Sequence, residues 1–278
     1  MSFRPGYKKF IETYFDITNK KNELIPFQLN AIQDKFQSTA DPHRNVVLKA
    51  RQQGFSSLIL ADFTVDFLLK DFSHSVIVAD NRENAEGLLE RVKLYVESYE
   101  SRKGFKINLK YNTRNELYNK DTRSKYTIGT AQNVQFGRSK TITNLHFSEA
   151  AFFPDMSKLL SSALQAVTED GQAIIETTAN GYNFFRDFWI DCMDGKRNFK
   201  PSFYAGKDFY SKEFLDNKKQ ELGRDFQQEY PDNWMEAFLA SGDTYFDKEA
   251  LEEYLEKAIE PIQEFGYGEY KFRHDKTV

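Results

Sequence analysis

A chain of 278 residues is long enough for one sizeable core and a smaller subdomain, because single cores stop growing near ~250–300 residues. Its composition, 40% hydrophobic and 29% charged with no apolar run near the ~20 residues that span a bilayer, excludes a membrane protein. The net charge of −4 excludes a uniformly basic nucleic-acid coat, and the single cysteine, Cys192, excludes an internal disulfide. A reducing cytoplasm is therefore the expected environment.

Short β-rich runs alternate with stretches of helical period along the first two thirds of the chain. The predicted strands are 45–48, 75–79, 126–129, 144–147 and 173–177, and the predicted helices are 57–70, 84–99, 156–167 and 182–192. This alternation predicts an α/β fold with a mostly parallel central sheet flanked by helices. In such folds, ligands bind at the carboxyl ends of the strands.

Ahead of the first predicted strand, Gln28 follows Pro26 and Phe27. An amide side chain offers both a donor and an acceptor, which match the edge of adenine. Gln28 is therefore a candidate for reading the base of a nucleotide.

The first strand runs into the segment 49–57, K-A-R-Q-Q-G-F-S-S, which an apolar helix follows. A phosphate loop needs a glycine, amide groups at a helix N-terminus, a cation and a hydroxyl for magnesium. Gly54 and Ser56 stand in the expected places, but Phe55 occupies the lysine position. Lys49 or Arg51 could supply the cation instead, and an ordinary strand–turn–helix junction is the alternative interpretation. The predicted nucleotide-binding residues here are Lys49, Arg51, Gln52, Gln53, Gly54, Phe55, Ser56 and Ser57.

The segment from Tyr99 to Lys125 carries eight basic residues against three acidic ones. Contacts to DNA phosphates need only suitably spaced Lys and Arg and carry no sequence reading. This segment is a candidate DNA contact, with a solvated charged hairpin as the alternative.

Two segments then offer groups for hydrolysis. The apolar strand 141–147 ends in Ser148 and Glu149, where Glu149 suits activation of water and Ser148 stands where an aspartate normally helps to hold Mg²⁺. Ser56 and Ser148 are the predicted metal-side groups, the latter through water. In the loop before this strand, Arg138 is a candidate arginine finger, a group that a neighbouring subunit often supplies in ring motors.

The strand 173–176 ends in the small polar residues 177–181, T-T-A-N-G, where Thr178 and Asn180 could sense the γ-phosphate. After about Lys196 the alternation stops, and the aromatic segment 199–234 suggests a lid packed on the sheet. The tail has one helical stretch, 248–259, and a strand-like stretch, 266–272.

Together and in this order, the segments 26–28, 49–56, 137–138, 145–150 and 176–181 resemble the ATPase domain of tailed-bacteriophage large terminases, over roughly residues 20 to 245. The resemblance implies an ASCE-type, RecA-like P-loop NTPase fold, ATP with Mg²⁺, and translocation of double-stranded DNA. It also implies a homo-oligomeric ring, of five subunits, on the procapsid portal protein, a small terminase subunit as partner, and the host cell cytoplasm.

In this family the phosphate-binding lysine sometimes stands at the start of the loop motif, which here is Lys49. Whether Lys49, Arg51 or both serve stays open. Full-length relatives carry an RNase H-like nuclease domain after the ATPase, and because this chain stops where it should begin, we expect no nuclease activity.

The expected division is an N-terminal lid and adenine-binding segment (1–44), a P-loop ATPase core (45–195), a lid subdomain (196–246) and a linker towards an absent nuclease (247–278). Two other functions fit parts of the pattern. A superfamily 2-like nucleic-acid-dependent ATPase would need a second RecA-like domain. A degenerate P-loop protein that binds DNA or a portal partner without hydrolysis would have no use for Glu149 and Arg138.

Overall fold

The computed structural model describes residues 4, 6–133, 141–240, 254, 257, 263–267 and 270–274. The chain divides into two compact units, Met1–Ser241 and Gly242–Val278. The described part of the second unit contains a two-stranded antiparallel hairpin, β11 (Gln263–Tyr267) with β12 (Tyr270–His274). The predicted helix 248–259 lies almost wholly outside the described residues.

An eight-stranded sheet forms the centre of the first unit, in the order β10-β3-β9-β8-β4-β7-β6-β5. The strands from β10 to β7 are parallel, and β6 and β5 add an antiparallel hairpin at the edge. Their bounds are β3 Arg44–Lys49, β4 His74–Ala79, β5 Leu109–Asn112, β6 Glu116–Asn119, β7 Ser124–Thr130, β8 Ile142–Ser148, β9 Val167–Thr177 and β10 Lys200–Tyr204. A separate small hairpin, β1 (Asp16–Thr18) with β2 (Leu24–Pro26), lies near the N-terminus.

Helices follow the strands, as expected for parallel connections. They are α1 Tyr7–Tyr14, α2 Ala31–Thr39, α3 Phe55–Leu69, α4 Arg82–Lys103, α5 Met156–Leu164, α6 Phe184–Met193, α7 Lys212–Leu222, α8 Phe226–Glu229 and α9 Trp234–Ala240. Polar side chains cap their starts: Asn30 and Gln33 form a capping box on α2, and Asn81 and Asn183 cap α4 and α6. None of the helices in the described ranges combines the length and apolarity needed to cross a bilayer.

The sheet has a hydrophobic core on each face. Strand β3 shows the alternation, because Val47 packs with α3 and α4 on one face whereas Val46 and Leu48 pack with α5 and α6 on the other. Helix α3 is buried on nearly every side, since almost all of its residues from Phe55 to Leu68 are buried. The α/β fold with a mostly parallel sheet is therefore confirmed.

The strands and helices predicted between residues 45 and 192 are confirmed, most of them within a few residues. The strand predicted over 173–177 begins six residues earlier, at Val167, and the helix predicted to reach Val167 ends at Leu164. Strand β10 corrects the expectation that the βαβ pattern stops near Lys196. It opens the segment for which we predicted a lid, yet it pairs in parallel with β3. Pro201 and Ser202 weaken its strand pattern, and an edge position tolerates a proline.

Two buried carboxylates, Asp62 and Asp66, lie one turn apart on α3. Arg4 donates to Asp66 at 3.2 Å and to Gln172 at 2.6 Å, so Arg4 connects the helix with the middle of β9. Asp62 accepts a hydrogen bond from Gln37 at 2.7 Å. Burial outweighs these favourable contacts and raises the pKa of Asp62 from 3.8 to about 6.

We expect Asp62→Asn to raise the stability of the protein above pH 6 and to leave it unchanged near pH 4. The folded state holds the Asp62 proton up to about pH 6, whereas the unfolded chain loses it near 3.8, so folding is progressively disfavoured as the pH rises between these values. The variant lacks this penalty, which is about 3 kcal/mol for a shift of this size. Urea unfolding of both proteins at pH 4 and pH 7.5 measures the difference, and an equal difference at the two pH values would contradict the assignment.

Candidate active site

The loop between β3 and α3 has the backbone that a phosphate loop requires. Gly54 adopts φ 83° as the N-cap of α3, a conformation that disfavours any residue with a side chain. A Cβ there would also lie 2.7 Å from Nε2 of Gln33, whose amide donates to the Gly54 carbonyl at 2.7 Å. Asn30 donates to the carbonyl of Gln53 at 3.2 Å. Helix α2 therefore holds the glycine turn from one side.

The segment that follows β10 holds the same loop from the other side. The backbone N–H of Arg51 donates to the carbonyl of Glu229, and its guanidinium pairs with the Glu229 carboxylate, both at 2.9 Å. The Tyr210 hydroxyl donates to the Arg51 carbonyl at 2.8 Å, and Gln53 donates to the carbonyl of Ala205 at 2.8 Å. Contacts within the protein thus anchor the loop.

Phe55, in the usual position of the phosphate-binding lysine, packs into the core. Its ring is 1% exposed and lies 4.7 Å from the Tyr204 ring and 5.5 Å from the Phe36 ring, measured between centroids. Its predicted role in binding nucleotide is therefore restricted to its backbone, because the side chain points away from the loop.

The strand order brings the cation and the acid together. Strand β9 lies between β3 and β8, and the carboxyl ends of all three meet at one edge of the sheet. There, Nζ of Lys49 lies 3.0 Å from Oε1 of Glu149, although the two residues are 100 positions apart. Glu149 adopts φ 57°, and its second oxygen accepts from the N–H of Thr178 at 3.1 Å. Thr178 thus orients the acid whose role we predicted.

A second carboxylate, Glu176 on β9, lies beneath this pair. It is fully buried, and its Oε1 accepts from Ser56 at 2.7 Å and from Ser148 at 2.8 Å. Nε2 of His146 lies 3.2 Å from the same oxygen, and Nζ of Lys49 lies 3.2 Å from Oε2. Two hydroxyl groups, one imidazole ring and one ammonium group therefore surround the buried carboxylate of Glu176.

The charges of Lys49 and Glu176 stabilise each other. Burial alone would raise the pKa of Glu176, but the Lys49 ammonium and His146 hold that pKa far below its usual range. Burial would likewise lower the pKa of Lys49, but Glu176 and Glu149 raise it well above its ordinary value. Both groups are ionised at neutral pH.

A cavity of about 820 Å³ opens above these residues. One wall is the loop 51–57, and the floor carries Lys49, Glu149 and Thr178. The opposite walls come from the β1–β2 hairpin, through residues such as Lys20, and from α4, through Arg91. The volume lies within the range of small-molecule and cofactor sites.

Three predicted residues lie away from the cavity. Gln28 is exposed and points towards α1, where its amide donates to the Glu12 carbonyl at 3.4 Å, so the structure does not place it as a reader of adenine. The Asn180 amide donates to the Ala151 carbonyl at 3.2 Å. Ser148 is buried against Glu176. Arg138 lies outside the described residues.

Glu176 is the functional candidate that sequence reasoning missed. It appears in the sequence only as the last residue of an apolar strand, before the polar loop 177–181. A charged residue at the end of a buried strand is a weak signal, but a buried carboxylate needs partners, and here these partners are site residues.

Several solved structures of phage packaging proteins are similar to this chain. The large terminase ATPase domain of Thermus phage P74-26 superposes with a TM-score of 0.58 at 21% identity, covering 73% of this chain and 93% of that one. The fold is that of a large terminase ATPase domain. No protein-family model matches the chain.

Two longer large terminases share the terminase ATPase fold. The large terminase of bacteriophage HK97 matches with a TM-score of 0.62 at 16% identity, over 86% of this chain and 51% of that chain. The large terminase of a thermophilic bacteriophage, solved in complex with ATP-gamma-S, matches with a TM-score of 0.53 at 15% identity, over 72% and 51%. The chain matches about half the length of these two proteins.

Proposed function

We propose that this chain is the ATP-hydrolysing motor domain of a viral large terminase, which drives double-stranded DNA into a procapsid. The observation that carries the proposal is the meeting of Lys49 and Glu149 at 3.0 Å, beneath a glycine loop that starts a buried helix. A cation for phosphates and a carboxylate for water are the two groups that phosphoryl transfer needs at one place. The shared fold and the complex of the thermophilic phage terminase with ATP-gamma-S support the assignment.

Lys49 is the better candidate for the phosphate-binding cation. It ends β3, its Nζ lies at the floor of the cavity, and its side chain is 5% exposed. Arg51 lies on the rim with a side chain that is 59% exposed, and it pairs with Glu229. A buried cation acts at lower effective dielectric, so its attraction for a phosphate is stronger. We infer that Lys49 exchanges its contact with Glu149 for the phosphates when ATP binds.

Mg²⁺ fits the residues around Ser56. The Ser56 hydroxyl lies in the first turn of α3, within the cavity wall, and the buried carboxylate of Glu176 lies 2.7 Å from it. Hard oxygen ligands of this kind, together with phosphate oxygens, are what Mg²⁺ prefers. The metal would neutralise charge that develops on the β- and γ-phosphates.

The basic segment 99–125 is the proposed DNA contact. It forms the end of α4 and the β5–β6 hairpin at the edge of the sheet. Arg102 pairs with Asp16, and Lys106 pairs with Glu100 at 2.6 Å, so these two charges are already neutralised. Within the described residues the other six basic side chains form no ion pair: Lys103, Lys110, Arg114, Lys120, Arg123 and Lys125. Four of them, Lys103, Lys110, Arg123 and Lys125, lie over aromatic rings and keep their positive charge without a carboxylate partner.

The proposed working assembly is a homo-oligomeric ring, in the host cell cytoplasm, that docks on the portal protein and receives DNA with a small terminase subunit. In such a ring Arg138 would reach the ATP of the neighbouring subunit. An arginine finger of this kind contributes roughly 10³–10⁵ in rate where it has been measured in GTPases. An isolated monomer should therefore hydrolyse ATP slowly.

ATP turnover per chain should rise with protein concentration, and Arg138→Ala should abolish that rise. Mixing the Arg138→Ala and Glu149→Gln variants separates the two roles, because the first retains Glu149 and the second retains Arg138. If the site is shared between subunits, the two inactive variants together should recover part of the parent activity, measured as phosphate release.

Failure of the mixture to recover activity would contradict a shared site. Failure of the parent to bind ATP at any concentration would overturn the ATPase proposal itself and favour a degenerate loop that binds DNA or a portal partner without hydrolysis. Nucleotide binding should therefore be measured first, by calorimetry with ATPγS.

A further inference from the structure

The end of β8 lacks a carboxylate at the position where one is needed. In P-loop ATPases, Mg²⁺ is held by the loop serine or threonine and by an aspartate at the end of the acid strand. Here Ser148 occupies that position, and its hydroxyl is a weaker ligand for a hard divalent cation than a carboxylate. Either another residue supplies the negative charge beside Mg²⁺, or the site works without that charge.

Glu176 lies where that charge can be supplied. Strands β8 and β9 are neighbours, and Ser148 is directly in register with Glu176. Because paired residues of adjacent strands point to the same face, both side chains approach the first turn of α3. Glutamate is one methylene longer than aspartate, which lets its carboxylate reach the loop serine from the neighbouring strand.

The contacts of Glu176 match those of a magnesium-positioning acid. Oε1 accepts hydrogen bonds from Ser56 at 2.7 Å and from Ser148 at 2.8 Å, so one oxygen joins the loop serine to the residue that replaced the aspartate. The ionised state is maintained by Lys49, 3.2 Å from Oε2, and by His146 on the buried side.

We propose that Glu176 takes over the task of the missing aspartate at the end of β8. Its carboxylate orients the Ser56 hydroxyl and helps to hold the Mg²⁺ of the bound nucleotide, while Glu149 stays free to act on water. This inference rests on the proposed function, since it assumes that the chain binds a magnesium nucleotide. Glu176 is thus a positioning residue, and its role is distinct from that of Glu149.

The competing explanation is that Glu176 is only the buried counter-ion of Lys49. The two explanations differ in what they predict about the metal. A counter-ion affects nucleotide binding through Lys49 whether or not Mg²⁺ is present. A magnesium-positioning acid affects binding only when the metal is present.

The experiment measures the dissociation constant of ATPγS in Mg²⁺ and in EDTA by calorimetry, for the parent and for Glu176→Gln. The ratio of the two constants reports how strongly the metal strengthens binding. Removing an outer partner of a metal ligand typically weakens metal affinity by about 10- to 100-fold. We expect the ratio to be large in the parent and to fall towards one in Glu176→Gln. Mn²⁺ binding in the presence of ATPγS, followed by EPR, should weaken in parallel.

A second substitution tests the exchange of positions directly. Ser148→Asp in the Glu176→Gln background restores a carboxylate at the end of β8, and it should recover the dependence on Mg²⁺. Asp62→Asn is the matched control, because it also removes a buried carboxylate on the α3 face of the sheet but lies outside the cavity. It should keep the parent ratio.

Each outcome decides between the explanations. Equal weakening of ATPγS binding in Mg²⁺ and EDTA, or an unchanged ratio, would overturn the role of Glu176 and leave the proposed function intact. No binding of ATPγS by the folded parent would overturn both. If Glu176→Gln does not fold, Glu176→Asp carries the same test, because it keeps the charge but draws it back from Ser56, and an unchanged ratio there would also overturn the proposal.

Discussion

Glu149→Gln should lower ATP turnover by about 10²–10⁴-fold while ATPγS binds as tightly as to the parent, because a positioned general base contributes a factor of this size. The substitution keeps the shape of the side chain and its hydrogen bond from Thr178, but it removes the group that accepts a proton from water. The Glu149 side chain is 39% exposed, so water can reach it, unlike the fully buried Glu176. Single-turnover phosphate release, at a protein concentration where the parent is active, gives the rate.

Glu169→Gln is the control for this experiment. Glu169 is an exposed glutamate near the start of β9, at the opposite end of that strand from the cavity. The Glu169→Gln variant should hydrolyse ATP at the parent rate. If Glu149→Gln also hydrolysed ATP at the parent rate, another group would have to activate the water, and the assignment of Glu149 would be lost.

Lys49→Met should abolish nucleotide binding and also destabilise the folded protein. Removing one partner of a buried ion pair typically costs about 3–5 kcal/mol, because the remaining charge is left uncompensated. Here the remaining charge is mainly Glu176, since Glu149 is partly exposed. We expect a loss of about 3 kcal/mol, at the lower end of that range, measured by urea unfolding at pH 7.5.

A double substitution separates the two effects of Lys49. Lys49→Met with Glu176→Gln removes both members of the buried pair, so the free energy of unfolding should recover while ATPγS binding stays lost. Arg51→Met is the control for the choice between the two cations. The Arg51 side chain is 59% exposed and that of Glu229 is 17% exposed, so this pair is partly solvated and its removal should cost less stability than removal of Lys49. Loss of binding in Arg51→Met together with retained binding in Lys49→Met would reverse the assignment.

Much of the fold follows from local patterns. Buried parallel strands are nearly continuous apolar runs, so β3, β4, β8 and β9 are visible in the sequence, as are the helices between them. The edge elements are less visible. Strand β10 contains a proline, and the β5–β6 hairpin is polar, because edge strands are only partly buried and their sequences carry less of the pattern.

The residues of the candidate site also differ in how clearly the sequence reveals them. Gly54, Ser56 and Glu149 are recognisable because they follow a strand within a few residues, and this spacing is local. Phe55 shows the limit of such reasoning: its place in the motif suggests a ligand contact, but its ring is buried against Phe36 and Tyr204, which come from distant segments.

The sequence alone predicted the main parallel strands and the helices between residues 45 and 192 in their order, a candidate phosphate loop with a displaced cation, and a candidate acid at the end of β8. Only the tertiary structure decided that Lys49 rather than Arg51 lies at the floor of the cavity, that Gln28 faces α1, and that Glu176 connects Ser56 with Ser148. The physical reason is that the periodicity of buried positions depends only on residues close together in the sequence. The contacts of a side chain across a sheet, in contrast, depend on strand order and register, and these are set by pairings between residues far apart in sequence.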